Sequence, residues 1–130
     1  MQLTARRSQK MNLKQIREIE NDICYYRAQI AMLEAKVTHI TTNISNAIDG
    51  ESASSSIEKI VPQIADLREE LYKAEMKKSN AISSIPPTTL QGSCLLLRLE
   101  YGYEWKQIAH KVGGGNTEDG IRVMCNRYEW

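Results

Sequence analysis

A 3.5-residue hydrophobic repeat constrains this chain more than any other feature of its sequence. The repeat runs from about Asn12 to Ile48, with apolar side chains at alternating steps of three and four residues. Such spacing, when it is sustained, is typical of a coiled-coil seam rather than of a merely amphipathic helix. At 1.5 Å per residue this helix would extend about 55 Å, too far to be buried inside a small globule. Its predicted seam comprises Ile16, Ile19, Ile23, Tyr26, Ile30, Leu33, Val37, Ile40, Ile44 and Ala47.

A second apolar repeat begins near Ile57 and weakens where Lys78 takes a seam position. Between the two repeats, residues 49–56 are rich in serine and predict a turn. We therefore expect an antiparallel, coiled-coil-like helical hairpin over residues 12–84, with the two seams facing each other. Pro62 should either kink the second helix or mark its first turn. The second seam is formed by Ile57, Ile60, Ile64, Leu67, Leu71 and Ala74.

Two partners could cover the first seam. In the simplest architecture, the second helix of the same chain buries it. Because the first seam outlasts the second, part of it can instead serve another protein or a second copy of the chain, with a dimer favoured. The residues assigned to an oligomer or partner surface on this basis are Ile16, Ile23, Ile30, Leu33, Val37 and Ile40.

Two segments predict interruptions of the helical architecture. Residues 1–11 are polar and predict a flexible arm. Residues 85–89 contain two consecutive prolines, which exclude a continuous helix and favour a semi-rigid, extended linker. The chain is therefore predicted to be all-α, with the hairpin joined by this linker to a small domain over residues 90–130.

The small domain has the outline of a helix-turn-helix. One aliphatic helix ends at Gly102, a second covers residues 105–112, and the glycines at 113–115 break the second helix. Asn116 or Thr117 can then cap a third helix. Its amphipathic pattern completes the motif. The apolar positions predicted to face inward are Leu95, Leu96, Leu99, Trp105, Ile108, Val112, Ile121, Met124 or Cys125, and Tyr128.

The segment from Leu99 to Ala109, LEYGYEWKQIA, follows a pattern in which an aliphatic helix ends at Gly and restarts with a Trp and an Ile-Ala pair. With its continuation to Tyr128, it resembles region 4 of sigma-70-type factors, in the reduced form found in small phage-encoded transcription regulators. The resemblance implies that the last helix enters the major groove of double-stranded DNA. Carried onto this chain, it implies DNA contacts from Asn116, Thr117, Arg122, Asn126, Arg127, Lys106 and Lys111.

Among these residues, Arg122 is the first choice for a base or phosphate contact, because a guanidinium can bridge O6 and N7 of guanine. Asn126 can pair with adenine or contact a phosphate. Lys106 and Lys111, on the supporting helix, can contact the DNA backbone. These roles predict an outward-facing polar surface on the last helix.

Net charge limits how strongly such a domain could bind DNA alone. The whole chain carries +1, and residues 88–130 hold five cationic against five anionic side chains. A module that relies on phosphate neutralisation is usually more basic. We therefore expect weak binding by a monomer, helped by dimerisation, by RNA polymerase or another host protein, or by a basic N-terminal arm. That arm contains Arg6, Arg7, Lys10 and Lys14.

Several other classes of protein fit the sequence poorly. The sequence has no apolar run of about 18 residues, so no membrane span is predicted. The N-terminus lacks the apolar core of a secretory signal. Three widely spaced cysteines favour reduced structural thiols over a disulfide framework or a zinc site. Neither an acid/base pair nor a P-loop is present, so we expect no enzymatic activity, no metal and no cofactor. The predicted compartment is the cytoplasm of a bacterial host cell.

Three functions are consistent with these patterns. The first is a sequence-specific DNA-binding transcription regulator of phage or mobile-element type, in which the hairpin mediates oligomerisation or contact with RNA polymerase. The second is a phage adaptor that does not bind DNA and acts on a host protein through the hairpin. The third is a DNA-packaging recognition subunit, which should assemble into a ring.

Overall fold

The computed structural model describes residues 10–44 and 50–130 and confirms an all-α chain. Two long helices pack together as a hairpin, and three short helices follow. Within the described residues, extended backbone pairs only at an isolated antiparallel bridge between Asn12 and Glu129. The helices are α1 (Leu13–Ile44), α2 (Gly50–Ser83), α3 (Leu90–Leu99), α4 (Trp105–Val112) and α5 (Glu118–Arg127).

A hydrophobic cluster joins α1 to α2 along the hairpin. Ile30 and Leu33 of α1 are buried together with Ile64 of α2. These are seam positions of the two repeats, so the seams face each other as predicted. The half-buried side chains that pack against the cluster are Val37, Ile60, Leu67 and Leu71.

Two ion pairs connect α1 and α2 beside this cluster and define the direction of the helices. Arg27 Nη2 lies 2.8 Å from Glu75 Oε2, and Arg68 of α2 pairs with Glu34 of α1. Residue numbers rise along α1 as they fall along α2, so the helices run antiparallel. Both pairs are exposed to solvent, and each therefore stabilises the fold by only about 0–1 kcal/mol.

Four of the six seam residues assigned to an oligomer or partner are buried within the chain. Their burial supports intrachain packing, which was one of the two predicted roles, while a second chain at this surface stays a prediction. Ala47, the last predicted seam position, lies outside the described residues. Ile16, Ile23, Ile30 and Leu33 are buried, and Val37 and Ile40 are half-buried.

The second long helix starts earlier than the sequence predicted. Residue 49 lies outside the described part of the chain, but residues 50–56 belong to α2, so the turn predicted there is wrong. Pro62 consequently lies inside the helix and not in its first turn. Serine and glycine have weak helix propensity, which tertiary context routinely overrides.

The chain divides into two compact units whose border does not coincide with the proline segment. We call Ile19–Met76 the hairpin unit, and Met1–Glu18 with Lys77–Trp130 the helix-turn-helix unit. Ile85, predicted to lie in an extended linker, is only 4% exposed in the core of the helix-turn-helix unit. The proline segment is therefore packed and is not a free spacer. The buried core residues are Leu13, Ile85, Cys94, Leu95, Trp105, Ile108, Ala109, Ile121 and Cys125.

The residues just before α1 pair with those just after α5. The Met11 amide donates to the Trp130 carbonyl at 2.7 Å, and the Trp130 amide donates to the Met11 carbonyl at 2.9 Å. The Trp130 indole Nε1 also donates to the Ala81 carbonyl at 2.8 Å. Met11, which was predicted to belong to a flexible arm over residues 1–11, is therefore paired with Trp130, and residues 1–9 lie outside the described part of the chain.

Candidate nucleic-acid interface

The proline segment positions α3 at the entry to the helix-turn-helix. Thr89 is the N-cap of α3, and its hydroxyl accepts a hydrogen bond from the Gly92 amide at 2.9 Å. Gly92 lies directly over the proline segment, because a Cβ atom there would come within 1.7 Å of the Pro86 carbonyl oxygen. Only glycine permits this approach, which fixes α3 against the preceding backbone.

The supporting helix α4 begins with a reciprocal capping box. Glu104 is its N-cap, and the Glu104 amide donates to the Gln107 side chain at 2.9 Å. Trp105 is 9% exposed and belongs to the core, as predicted. The Arg98 guanidinium lies 4.9 Å from its ring centroid and also donates to the Tyr103 carbonyl at 3.1 Å. These contacts hold α4 against α3.

Three glycines with positive φ connect α4 to α5. Gly113 combines φ +64° with ψ −150°, a conformation that is essentially restricted to glycine. Gly114 and Gly115 follow with φ of +65° and +81°. Asn116 Nδ2 donates to the Gly113 carbonyl at 2.8 Å and closes the turn. All three glycines therefore adopt, in this turn, a positive φ that favours glycine.

The candidate recognition helix α5 buries its predicted inner face and exposes Arg122 and Arg127, whereas the predicted contact Asn126 is half-buried. Thr117 is its N-cap, and its hydroxyl accepts from the Gly120 amide at 3.0 Å. Ile121 and Cys125 are fully buried, with Met124 and Tyr128 packed against the same core. The exposed residues of α5 are Glu118, Asp119, Gly120, Arg122, Val123 and Arg127.

Side chains on the outer face of α5 form a short hydrogen-bonded chain. Arg122 Nη2 lies 3.2 Å from Asp119 Oδ1. Asn126 Nδ2 donates to the Arg122 carbonyl at 2.8 Å, and Asn126 Oδ1 accepts from Arg17 Nη2 at 3.0 Å. The predicted contacts Arg122 and Asn126 thus lie together, and Arg17 of α1 joins them.

Arg17 is the residue of this surface that the sequence did not reveal. It lies 109 positions from Asn126 in the chain. At the sequence level it is an ordinary exposed position beside Ile16, so no local pattern connects it to α5. The contact follows from the packing of the start of α1 into the helix-turn-helix unit.

The outer face of α4 forms a separate basic groove. Lys106 and Lys111, the predicted backbone contacts, line a shallow groove of about 570 Å³ together with Tyr103, Gln107 and His110. Lys111 Nζ lies 5.6 Å from the Tyr103 ring centroid. The groove is open, and the side chains that line it all end in polar groups.

The seven predicted DNA-binding residues therefore occupy three places. Arg122, Asn126 and Arg127 lie on α5, and Arg127 is exposed near its end. Lys106 and Lys111 lie on α4. Asn116 closes the turn and Thr117 caps α5, so both lie at the N-terminal end of that helix.

Charge is segregated between the two compact units. Residues 10–18 and 77–130 of the helix-turn-helix unit carry ten Lys or Arg against six Asp or Glu. Residues 19–76 of the hairpin unit carry five against ten. The charge balance counted over residues 88–130 is therefore not that of the folded unit, which gains cations from the start of α1 and the end of α2.

Two cysteines in the core of the helix-turn-helix unit are structural. Cys94 and Cys125 are fully buried and free, whereas Cys24 is exposed. Burial raises the pKa of the Cys94 thiol, and burial beside Cys94 raises the pKa of Cys125 to about 12. No group of three or more His, Cys, Asp or Glu side chains among the described residues is placed to hold a metal ion.

None of the described helices is both long enough and apolar enough to span a membrane. Comparisons with protein-family models, with curated proteins and with solved structures found no match to this chain.

Proposed function

We propose that this protein is a sequence-specific DNA-binding transcription regulator of phage or mobile-element type. The observation that carries the proposal is the positive charge of the helix-turn-helix unit, on which a capped, outward-facing α5 is mounted. Neutralisation of phosphates supplies a large share of the affinity of a protein for DNA. The folded unit has the net positive charge for this, which residues 88–130 alone lack. The likeness of Leu99–Ala109 to region 4 of sigma factors agrees with this proposal.

In this proposal α5 lies in the major groove and α4 lies across the backbone. Arg122 reads a guanine or holds a phosphate, and Asn126 reads an adenine. Lys106 and Lys111 bind phosphates from their groove on α4. To reach DNA, Arg122 must exchange Asp119 for a nucleic-acid acceptor. The cost is small because the carboxylate is 86% exposed, and such surface pairs contribute about 0–1 kcal/mol.

We propose that the hairpin unit makes the protein contacts of the regulator. An excess of five negative charges makes this unit unsuited to binding DNA itself. Its surface carries exposed Tyr25, Val61 and Tyr72, which are available to RNA polymerase or to a second copy of the chain. The regulator would act in the cytoplasm of the bacterial host.

Selection of bound sequences from random double-stranded DNA tests the proposal, first with the purified protein and then with RNA polymerase added. We expect enrichment of a defined site in at least one condition. If neither condition enriches a sequence, the proposal is wrong. Light scattering that gives the mass of a ring would favour DNA packaging instead. DNA-independent, tight binding of a host protein without enrichment would favour an adaptor.

Arg122→Ala gives the residue-level test, with Arg27→Ala as a matched control. Both arginines are exposed and paired with one carboxylate, but Arg27 belongs to the hairpin unit. On the selected duplex, loss of Arg122 should cost about 1–3 kcal/mol, or roughly 5- to 150-fold in affinity. The control should bind as the wild type does. If both variants bind the selected duplex with equal affinity, Arg122 does not contact the DNA.

A further inference from the structure

The start of α1 is fixed beside the outer face of α5. Arg17 Nη2 donates to Asn126 Oδ1 at 3.0 Å. Leu13 and Ile16, on the other side of the same helical turns, are 3% and 0% exposed. The backbone pairing of Met11 with Trp130 anchors the segment just before the helix. The first two turns of α1 therefore belong structurally to the helix-turn-helix unit.

This part of α1, together with the residues just before it, supplies the positive charge that α5 lacks. Within α5, Glu118 and Asp119 balance Arg122 and Arg127. Residues 10–18, by contrast, hold three cations and a single anion. A phosphate backbone lying along the outer face of α5 would meet this basic segment next to the helix.

Two of these cations point to the same side of α1. Lys14 and Arg17 are three residues apart, a spacing that places side chains on one face of a helix. Both are exposed, and Arg17 marks that face as the one toward Asn126. A guanidinium carries five N–H donors, so Arg17 can hold Asn126 and still donate to a phosphate.

We propose that Lys14 and Arg17 form a second DNA contact, which binds backbone phosphates beside the groove entered by α5. This inference rests on the proposed function of α5 as a DNA-reading helix. The complete interface then comprises α5, α4 and the first turns of α1. Arg17 places this phosphate contact beside Asn126, whose amide is also held within α5 by its hydrogen bond to the Arg122 carbonyl.

The salt dependence of DNA binding tests this proposal. In the full chain, Lys14→Gln with Arg17→Gln removes both contacts, and Lys36→Gln with Lys59→Gln removes two exposed cations from the hairpin unit. Each phosphate contact contributes about −0.9 to the slope of log K against log salt concentration. We expect a slope shallower by about 1.8 for the first variant and an unchanged slope for the control. Over a fourfold rise in salt, the wild type should lose about 12-fold more affinity than the first variant.

Specificity provides the second readout. Phosphate contacts carry no sequence information, so the affinity ratio of selected to scrambled duplex should change little in the Lys14/Arg17 variant. An unchanged salt slope with a reduced ratio would overturn the proposal, since Arg17 would then act only by orienting Asn126. An unchanged slope and ratio would overturn it as well. If the wild-type protein binds no duplex, the proposed function itself fails, which is a distinct result.

Discussion

Substitution of Gly113 by alanine tests the structural account of the turn between α4 and α5. Gly113 has φ +64° and ψ −150°, where an L-residue is strained by about 2–3 kcal/mol. Alanine also reduces the conformational entropy of the unfolded chain, which offsets about 0.4–1 kcal/mol. A Cβ atom at Gly113 would meet no atom within 4 Å, so no steric clash adds to the penalty. The net expected destabilisation is about 1–2.5 kcal/mol, from the backbone alone.

Urea denaturation followed by tryptophan fluorescence measures this effect in the relevant unit. Both tryptophans of the chain, Trp105 and Trp130, lie in the helix-turn-helix unit. With a slope of about 2 kcal/mol per molar, the midpoint should fall by roughly 0.5–1.2 M urea. Gly120→Ala is the matched control, because this glycine lies inside α5 with ordinary helical φ.

The control substitution has two opposing effects. Alanine favours the helix by about 1 kcal/mol relative to glycine. Its Cβ would lie 3.0 Å from Thr117 Oγ1, which has to shift slightly. We therefore expect Gly120→Ala to remain within about 1 kcal/mol of wild type. A midpoint for Gly113→Ala equal to or above that of the wild type would refute the strain argument.

Three further predictions concern the core, the chain ends and pH. Ile64→Ala should destabilise the hairpin by about 2–4 kcal/mol in urea melts followed by circular dichroism, while exposed Val61→Ala should change it by under about 0.5 kcal/mol. Trp130→Phe removes the donor to the Ala81 carbonyl and should lower the free energy of unfolding by about 1 kcal/mol. Urea denaturation followed by Trp105 fluorescence measures this loss, and an unchanged urea midpoint would contradict that role. The pKa of Cys125 is raised from 9.0 to about 12, so its neutral thiol stabilises the fold fully below pH 9 and this contribution is lost as pH rises toward 12. Urea midpoints measured across that range should fall in the wild type and fall less in Cys125→Ala.

Local periodicity was sufficient to predict that the helices exist and which of their faces are buried, although not where α2 begins. The seam around Ile30 and Leu33 and the inward positions Ile121 and Cys125 follow directly from spacings of three and four residues. Capping residues also follow local chemistry, because the side chain of Thr117 bonds an amide three positions later. Such features need only a short window of sequence.

Contacts between distant segments leave no trace in local periodicity. The proline pair predicted a spacer, but the burial of Ile85 depends on side chains contributed by several helices. The pairing of Met11 with Trp130 and the contact of Arg17 with Asn126 join opposite ends of the chain. The same contacts bring the cations at the start of α1 into the helix-turn-helix unit. The charge balance of residues 88–130 alone therefore underestimates the positive charge of the folded unit.

The segregation of charge has a consequence for how the purified protein behaves. A sequence pI of about 7.7 predicts little affinity for either type of ion-exchange resin near neutral pH. With opposite excesses on its two units, the protein should instead be retained by both cationic and anionic matrices at low ionic strength. Molecules should also attract one another in dilute buffer, basic unit to acidic unit. Added salt would screen this attraction and raise solubility, within the same range in which it weakens binding to DNA.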